Sequence, residues 1–322
     1  MTIKVGTFNL NNLFSRFNFS GAIDVIEESG SAGSITFRYE FTDPDNVRVR
    51  TFLGKLVKAK DPDDTEEIAE RILQMDLDVL AVQEVENIGI LKEFNKEQLG
   101  RLYPHQVLIE GNDNRFIDVG LLSKLPLGAV ASFQTAVEKD PPHRRVFSRD
   151  LLSIEVLNES RSRKLFTLYN THLKSHFGDD DPGGKAKNDA RRRRQAEAIS
   201  EIVAQRMRTN SRYVITGDMN DPPDAEPLAA LRTIEGNQMV DALANPQETR
   251  PAKAESSGHD PTSPAWTHRF KPTNQPPEHK LFDHIWLSPA LAPSLQGAFI
   301  DRRTKHGGDG SDHDPAWVEL DV

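Results

Sequence analysis

The stretch S-D-H-D-P-A-W occupies residues 311–317 and directly follows the glycine-rich, charged K-H-G-G-D-G at 305–310. An Asp-His pair in a glycine-rich loop is either part of an enzyme's active site or a solvated turn before a strand. The local sequence is compatible with both. The choice depends on whether the rest of the chain supplies partners for Asp312 and His313.

The composition is typical of a soluble globular protein with a substantial core, since 37% of the 322 residues are hydrophobic and 28% are charged. The chain has no run of about 18 apolar residues, so no membrane span is expected. The first residues, M-T-I-K-V-G-T-F-N-L, lack the basic and apolar segments of a secretion signal. A cytoplasmic location is therefore expected.

The cysteine count limits the chemistry. The chain contains no cysteine, which excludes disulfides, thiolate metal sites and a Cys nucleophile. A bound metal would be held by Asp, Glu, Asn, His or main-chain oxygen, and such ligands suit Mg²⁺, Mn²⁺ or Ca²⁺. The net charge of −9 argues against non-specific coating of nucleic acid. It does not exclude a nuclease, because local basic patches can still meet phosphates.

Hydrophobic patterning predicts more strands than helices. Asp61 and Pro62 predict the start of a helix, because Asp caps and Pro suits the first helical position. Further helices are predicted at about 186–208 and after Asn87. The apolar run D-V-L-A-V-Q-E-V predicts a buried strand that ends near Glu84. Other predicted strands lie at 3–10, 105–110, 117–123, 150–157, 164–171, 212–217, 282–288 and 315–320.

These elements do not alternate as a doubly wound sheet requires. We therefore expect an α/β fold of two packed, mostly antiparallel β-sheets flanked by helices, which is a four-layer α/β sandwich. Residues 1–322 are expected to form a single domain, because no low-complexity linker divides them. The stretch 15–60 is interpreted as a surface insertion, and 245–280, which is rich in Pro, Ser and Thr, as a long loop.

Polar residues cluster where the predicted strands end, and loops at strand ends are where a rigid scaffold presents reactive groups. Each residue alone has an ordinary structural interpretation as a turn former, a helix cap or a satisfied semi-buried side chain. The pattern as a whole is more informative than any member. The residues concerned are Asn9, Asn11, Glu84, His172, Asp218, Asn220, Asp283, Asp312 and His313.

Six motifs in order, T-F-N-L-N, V-Q-E-V, N-T-H-L, G-D-M-N-D, F-D-H-I-W-L-S and S-D-H, resemble the endonuclease/exonuclease/phosphatase superfamily with its DNase I-like fold. The resemblance runs from about residue 3 to residue 320. The I-D-V-G-L-L-S context is similar to that of bacterial nuclease-like members. The resemblance implies a divalent-metal-dependent phosphodiester hydrolase, with Mg²⁺ as the expected ion and Mn²⁺ or Ca²⁺ as alternatives.

The resemblance also implies roles for individual residues. Glu84 is similar to the principal metal-ligand carboxylate, with Asn11 and Asp312 on the same side of the site. Many relatives have an aspartate where Asn11 stands. The implied catalytic residues are His172, Asp218, Asn220, Asp283 and His313, with Asp283 as the carboxylate partner of His313 and with Glu110 or Asp118 as candidate partners of His172. The implied phosphate contacts are Asn9, Arg115 and Arg149.

Physical chemistry is consistent with these roles. A hard divalent ion neutralises charge on the phosphate and the leaving oxygen. An Asp-oriented histidine acts as a general base or as a cationic hydrogen-bond donor. The sequence leaves open whether Asp218 or a histidine deprotonates the water. No serine in an elbow and no thiol is available, so direct attack by water is expected.

The run A-R-R-R-R-Q-A at 190–196 is the most visible basic feature. On a helix its arginines spread over the circumference, so at most two face any one partner. It is interpreted either as a solvated helix start with one arginine packed toward the site or as a contact to a phosphate backbone. The same alternatives apply to Lys55, Lys58 and Lys60.

The leading hypothesis from the sequence is a monomeric nuclease that acts on DNA, without an obligate protein partner. A second hypothesis keeps the site but changes the substrate to a lipid or small-molecule phosphoester, such as a phosphoinositide or sphingomyelin. A third is a non-catalytic binding protein on the same fold. That hypothesis predicts loss of the polar positions, and all of them are occupied apart from the Asn11 substitution.

Overall fold

The computed structural model describes residues 1–14, 60–255 and 258–322. The predicted insertion at 15–60 therefore lies outside the described residues, except for Lys60. Among the described helices, none combines the length and the apolar character needed to cross a membrane.

Seventeen strands account for most of the regular structure in the described part of the chain. They are β1 (Thr2–Leu13), β2 (Val79–Val85), β3 (His105–Leu108), β4 (Asp118–Ser123), β5 (Leu127–Ser132), β6 (Leu151–Leu157), β7 (Lys164–His172), β8 (Tyr213–Asp218), β9 (Thr233–Ile234), β10 (Asn237–Gln238), β11 (Val240–Asp241), β12 (Gln247–Glu248), β13 (His268–Phe270), β14 (Glu278–Lys280), β15 (Asp283–Leu287), β16 (Leu295–Ile300) and β17 (Ala316–Asp321).

The helices within the described ranges are α1 (Pro62–Met75), α2 (Ile88–Glu97), α3 (Gly184–Arg206) and α4 (Ala229–Arg232), with single 3-10 turns at Glu226–Leu228 and Ala292–Ser294. The predicted start of α1 is confirmed. The Asp61 carboxylate accepts a hydrogen bond from the Asp63 main-chain N–H at 3.0 Å, and Pro62 opens the helix. The predicted helices after Asn87 and at 186–208 are confirmed as α2 and α3.

Two large sheets form the centre of the fold. The larger sheet has the order β12-β16-β17-β1-β2-β4-β3 and the smaller has β11-β15-β8-β7-β6-β5. Within them the pairs β1–β2, β7–β8 and β12–β16 are parallel, and the other pairs are antiparallel. This arrangement confirms the prediction of two packed, mostly antiparallel sheets.

Three clusters of buried apolar side chains define four layers. The first lies between the sheets and joins side chains such as Val79 from the larger sheet to Leu168 from the smaller. The second packs α1 and α2 on the outer face of the larger sheet, with Ile72 fully buried. The third packs α3 on the outer face of the smaller sheet through Ile199. Burial of apolar area on both faces of each sheet stabilises this layered arrangement.

The structure differs from the sequence expectation in three places, one of which is the stretch 229–241, where α4 and the short strands β9, β10 and β11 were not predicted. Strands β5 and β16 were not predicted, because β5 is half exposed and lacks a continuous apolar pattern and β16 is interrupted by Gly297. The stretch 245–280, expected as a long loop, contains the short strand β12 and the two-stranded sheet of β13 and β14. The second of these elements brings a histidine to the candidate active site.

Candidate active site

Neighbouring strand ends of the smaller sheet place three predicted residues side by side. In the register of the sheet His172 is opposite Asp218, and Asp218 is opposite Asp283. Gly217 permits this close approach: it has φ +129°, and a Cβ there would lie 1.9 Å from the Thr171 carbonyl oxygen. The G-D-M-N motif thus sets Asp218 between two other titratable side chains.

His313 forms a hydrogen-bonded pair with Asp283, as the resemblance implies. Nδ1 of His313 lies 2.7 Å from Oδ2 of Asp283, and Nε2 lies 3.8 Å from Oδ2 of Asp218. Burial alone would lower the pKa of His313, but the carboxylates of Asp283 and Asp218 outweigh it and hold the pKa well above its usual value. The protonated imidazole therefore presents its Nε2 toward Asp218.

Asn9 connects the larger sheet to Asp218. Its side-chain amide donates to Oδ2 of Asp218 at 2.9 Å, and its Oδ1 accepts from the Asn11 main-chain N–H at 2.9 Å. Oδ1 of Asp218 accepts from the main-chain N–H of Asn220 at 2.9 Å. Burial raises the pKa of Asp218, with the charge of His313 opposing the shift. Both oxygens of this carboxylate are thus held in fixed positions.

Glu84 is turned toward the site by an irregularity at the end of β2. The registers of β2 with β1 and with β4 both shift around it, and its φ is +60°. Such bulges re-aim a side chain out of the alternation of a strand. The Asn12 main-chain N–H donates to Oε2 of Glu84 at 3.1 Å.

Left-handed backbone is concentrated at this edge of the sheets. Four non-glycine residues adopt it here, with φ +46° at Asn11, +61° at Asn12, +60° at Glu84 and +54° at Asn220. Non-glycine residues adopt this region at a cost, and such strain is found preferentially at functional sites. The strain supports the functional interpretation of T-F-N-L-N, V-Q-E-V and G-D-M-N-D.

The donor set fits a hard divalent cation. Burial raises the pKa of Glu84, and the nearby charge of Asp312 raises it further. Among the described residues, no Lys or Arg lies within ion-pair distance of either carboxylate; each has only a histidine, His172 and His268 respectively. Burial alone would raise the pKa of Asp312, but the hydrogen bond with His268 and the charges of His313 and Arg303 hold the pKa well below its usual value. An ionised carboxylate beside Glu84 is a donor set that a divalent ion stabilises.

Asn11 lies beside these carboxylates. Its side-chain oxygen accepts from the Asn12 amide at 3.0 Å, and its main-chain oxygen accepts from Nζ of Lys60 at 2.8 Å. Burial lowers the pKa of Lys60, while acidic neighbours that include Asp312 and Glu84 oppose the shift. One lysine of the predicted insertion therefore contacts the site.

In the described parts of the chain, two groups of three Asp, Glu or His side chains bring donor atoms within 4.8 Å of one another, and Glu84 belongs to neither: His268, Asp312 and His313, and Asp218, Asp283 and His313. His268 was missed by the sequence analysis. Its ring centroid lies 5.0 Å from that of His313, and its Nε2 lies 3.8 Å from Oδ2 of Asp312. No local signal identifies it, because it stands in the segment interpreted as a loop.

His172 joins the site through its Nε2, which lies 3.4 Å from Oδ2 of Asp218 and 4.0 Å from Oε1 of Glu84. The expectation of a partner at Glu110 or Asp118 is wrong, since its buried Nδ1 has no hydrogen-bond partner among the described residues. The Asp118 carboxylate instead accepts from the Gly111 main-chain N–H at 2.7 Å. Burial and the charge of Arg149 hold the pKa of His172 well below its usual value.

Arg149 and Arg115 both lie against Asp113. Nε of Arg149 is 3.2 Å from Oδ2 of Asp113, and Nε of Arg115 is 3.3 Å from Oδ1. Arg149 is buried and also donates to the Leu173 carbonyl oxygen at 3.3 Å, an oxygen that accepts from the Asn220 amide at 3.2 Å. Arg149 thus forms a wall of the site, while Arg115 is more exposed.

A cleft of about 340 Å³ opens on the other side of this wall. Its lining includes six cationic side chains and one carboxylate, that of Asp113. The cationic residues are Arg115, Arg144, Arg149, Lys174, Lys187 and Arg191. We call this feature the basic cleft.

The four arginines of the run at 190–196 contact different partners. Arg192 is fully buried between Asp189 and Asp221, and Arg193 and Arg194 pair with Glu226 and Glu138. Arg191 lines the basic cleft. The interpretation of a helix start with one arginine packed inward fits Arg192, which is buried, whereas a phosphate contact by Arg191 stays a prediction.

Beneath the site, a polar bridge joins the two sheets. Asn170 of β7 accepts from the Gln83 amide at 2.8 Å and donates to the carbonyl oxygens of Val82 at 3.0 Å and Gly120 at 2.8 Å. All of these groups are buried. Because each hydrogen bond crosses from one sheet to the other, the bridge fixes the relative position of the strand ends above it.

The sequence profile of the Endonuclease/Exonuclease/phosphatase family matches residues 6–313. The chain belongs to this family. The endonuclease/exonuclease/phosphatase family consists of hydrolytic phosphoesterases that generally use divalent metal ions, and the protein is accordingly a metal-dependent phosphoesterase. No curated protein sequence matches the chain significantly.

Solved structures share the fold at low identity. An endonuclease/exonuclease/phosphatase from Bacteroides vulgatus superposes with a TM-score of 0.60 at 13% identity, covering 100% of this chain and 99% of the other. The mannosyl-6-phosphatase of Bacteroides thetaiotaomicron gives 0.54 at 15%, covering 99% and 100%. An AP endonuclease from Archaeoglobus fulgidus gives 0.53 at 17%, covering 80% and 94%.

Proposed function

We propose that the protein is a nuclease that hydrolyses phosphodiester bonds of DNA by direct attack of water, with Mg²⁺ as its metal ion. The observation that carries this proposal is the basic cleft, because Arg149, which lines it, donates to the same Leu173 carbonyl oxygen as Asn220 of the catalytic centre. A polyanion is the class of substrate that benefits from cationic groups continuing beyond the scissile phosphate. A small phosphomonoester gains little from them.

Local charge supports this substrate class in spite of the acidic chain. The net charge is −9, yet the cleft beside the centre has six cationic side chains and one carboxylate. Such a local concentration of one sign focuses the field and attracts an anionic substrate to the site.

The residues have distinct roles in the proposed reaction. Asp218 accepts a proton from the attacking water as the new P–O bond forms and the bond to the leaving oxygen breaks. Nε2 of His313 donates a hydrogen bond to a nonbridging oxygen, with Asp283 fixing its ring through Nδ1. The leaving oxygen then takes a proton from solvent and Asp218 releases its proton to solvent, which completes the balance of hydrolysis.

Asn220 completes the phosphate contacts. One N–H of its side-chain amide is used by the Leu173 carbonyl oxygen, so the second remains for a phosphate oxygen. Glu84, Asp312 and Asn11 would hold the metal ion, for which Mn²⁺ and Ca²⁺ are alternatives. When bound, the ion neutralises charge on the phosphate and on the leaving oxygen.

The experiment that tests this function incubates the protein with plasmid and single-stranded DNA in the presence of Mg²⁺ or Mn²⁺. We expect cleavage that EDTA abolishes and that His313→Ala lacks. Parallel assays with bis-p-nitrophenyl phosphate and a sugar or lipid phosphomonoester provide the alternative substrates. Turnover of a small ester without DNA cleavage under any metal or salt condition contradicts the nuclease proposal and favours the lipid or small-molecule hypothesis.

A further inference from the structure

We propose that the basic cleft is a subsite for single-stranded nucleic acid, which binds the phosphate next to the scissile one and stacks an unpaired base on Phe177. This inference rests on the proposed nuclease function and specifies its substrate. The cleft is lined by Phe177 as well as by Lys174, Lys187 and Arg191.

The position of the cleft fits a neighbouring phosphate of the same strand. Leu173 and Lys174 directly follow His172, so the chain leads from the catalytic centre into the cleft. The Leu173 carbonyl oxygen is held by Asn220 on the catalytic side and by Arg149 on the cleft side. A strand whose scissile phosphate faces His313 therefore enters the cleft with its next phosphate.

The cleft retains cations that the protein itself does not neutralise. Among the described residues, no carboxylate lies within ion-pair distance of Lys174, Lys187 or Arg191, whereas the other members of the arginine run all have acidic partners. Arg191 is anchored by donating to the carbonyl oxygens of Arg145 at 3.0 Å and Val146 at 3.2 Å. Anchored and unpaired guanidinium groups are suited to a phosphate.

The pKa of Lys174 reflects the concentration of positive charge in the basic cleft. Its Nζ donates to the carbonyl oxygens of Ser175 at 2.6 Å and Phe177 at 3.0 Å. Burial, together with the charges of Arg149 and Arg192, lowers its pKa to about 8. A bound phosphate would relieve that repulsion, because it places negative charge among the cations.

Phe177 is an exposed aromatic side chain on a fixed backbone. Its residue is 85% exposed, the largest exposure among the large hydrophobic residues described. Its carbonyl oxygen accepts from Lys174 and, at 3.2 Å, from the amide of Asn188, which also donates to Asp179 at 2.7 Å. A ring held in water beside cations is a stacking platform for a base, and only an unpaired base offers its face.

Fluorescence anisotropy of a labelled single-stranded oligonucleotide tests the subsite, measured on the His313→Ala protein so that the strand is not cleaved. The double variant Lys187→Ala/Arg191→Ala should bind about tenfold more weakly, with the slope of log K against log salt reduced by about 0.7 to 1.4 for one to two lost phosphate contacts. The matched control is Lys185→Ala/Arg193→Ala on the same helix, whose side chains pair with Asp189 and Glu226. The control should leave affinity and slope within twofold and within about 0.3 of the unsubstituted values.

The stacking role has its own pair of variants. Phe177→Leu keeps an apolar side chain but removes the ring, and should weaken single-strand binding by about tenfold. Phe177→Tyr keeps an aromatic ring and should bind the single strand as tightly as the protein with Phe177. Binding of a blunt duplex should not respond to Phe177→Leu. Equal binding by the cleft variants and their controls, or an unchanged affinity of Phe177→Leu, overturns the subsite.

Failure of the subsite and failure of the proposed function are distinguishable. If wild-type protein cleaves DNA but the cleft variants bind like the controls, the subsite is wrong and the nuclease function stands. If the cleft variants lose single-strand binding and wild-type protein cleaves no DNA, the subsite stands as a binding site and the nuclease function is wrong.

Discussion

The side-chain amide of Asn9, in β1, donates a hydrogen bond to the carboxylate of Asp218, at the end of β8, with 2.9 Å between Nδ2 and Oδ2. These strands belong to different sheets, so the contact aligns one half of the sandwich with the other. It is reinforced by the Ser311 hydroxyl, which donates to the Asn9 carbonyl oxygen at 2.7 Å. The loop that carries His313 is therefore fastened to the same residue.

This contact predicts that Asn9→Ala reduces turnover more than stability. Loss of the amide frees Asp218 from one of its fixed donors, and we expect kcat to fall by about 10- to 100-fold. Steady-state kinetics on DNA, with circular dichroism to follow unfolding, checks this. Asn9→Asp is expected to be more damaging, because it places a second carboxylate against Asp218; activity equal to wild type in both variants contradicts the alignment role.

The pair of His313 and Asp283 should act as a unit. We expect His313→Ala to lower kcat by about 100- to 10,000-fold. Adding Asp283→Ala to His313→Ala should then cost little more, because the carboxylate acts through the imidazole. Kinetics of the two single variants and the double variant form the cycle; additive losses show that Asp283 acts elsewhere.

A substitution that weakens metal binding should be distinguishable from one that removes catalysis but leaves metal binding intact. We expect Glu84→Gln to weaken Mn²⁺ binding, measured by isothermal titration calorimetry, because a charged ligand becomes neutral. His313→Ala serves as the comparison, since it removes turnover while retaining the carboxylates. Unchanged Mn²⁺ affinity in Glu84→Gln contradicts the proposed ligand set.

Asp118 predicts a pH dependence of stability away from the metal site. Burial raises the pKa of Asp118 to about 7 in the folded state, above the value near 3.9 of an unfolded chain. The folded state thus holds the proton more tightly, so this residue's contribution to stability is present at low pH and is lost as pH rises from about 4 to about 7.

The substitution Asp118→Asn should remove that loss while retaining the oxygen that accepts from Gly111. We expect the variant to be more stable than wild type at pH 8 by on the order of 2 to 4 kcal/mol, with the difference shrinking toward pH 4. Urea unfolding across this pH range measures it. A difference that does not change with pH shows that Asp118 is not protonated in the folded protein.

The arginine run predicts a contrast between adjacent residues. Arg192 is fully buried between two carboxylates, whereas Arg193 forms an exposed pair with Glu226. We expect Arg192→Ala to destabilise the protein by about 3 to 5 kcal/mol, because it removes a buried guanidinium and leaves the buried Asp221 with only His176, at 3.4 Å, as a partner. Arg193→Ala should cost less than about 1 kcal/mol. Urea unfolding of both variants checks the contrast, which similar losses contradict.

The sequence is sufficient to predict the fold and the strand-end residues because these depend on short local signals. The helix start at Asp61, the apolar run before Glu84 and the turn at Asp218 and Asn220 each follow from a few adjacent residues. The order of such motifs then indicates the family. Asp312 and His313, ambiguous alone, gain their interpretation from Asp283 elsewhere in the chain.

What the sequence does not predict depends on contacts between distant segments. His268 reaches the site because the Asp314 main-chain N–H donates to the Thr267 carbonyl oxygen at 2.7 Å, a pairing that no local pattern encodes. The acidic partners of the arginine run, apart from Asp189, lie in other segments, so the sequence leaves Arg191 and Arg192 indistinguishable.

The polar bridge of Asn170 has a consequence for how the enzyme tolerates change. Two sheets joined by apolar side chains alone could slide past each other by small steps at little cost, because hydrophobic contact has no preferred direction. Directional hydrogen bonds at 2.8 to 3.0 Å allow one docking position. Small shifts between the apolar side chains of the two sheets therefore do not change the distances between the active-site residues. Apolar residues between the sheets can be substituted while those distances stay constant.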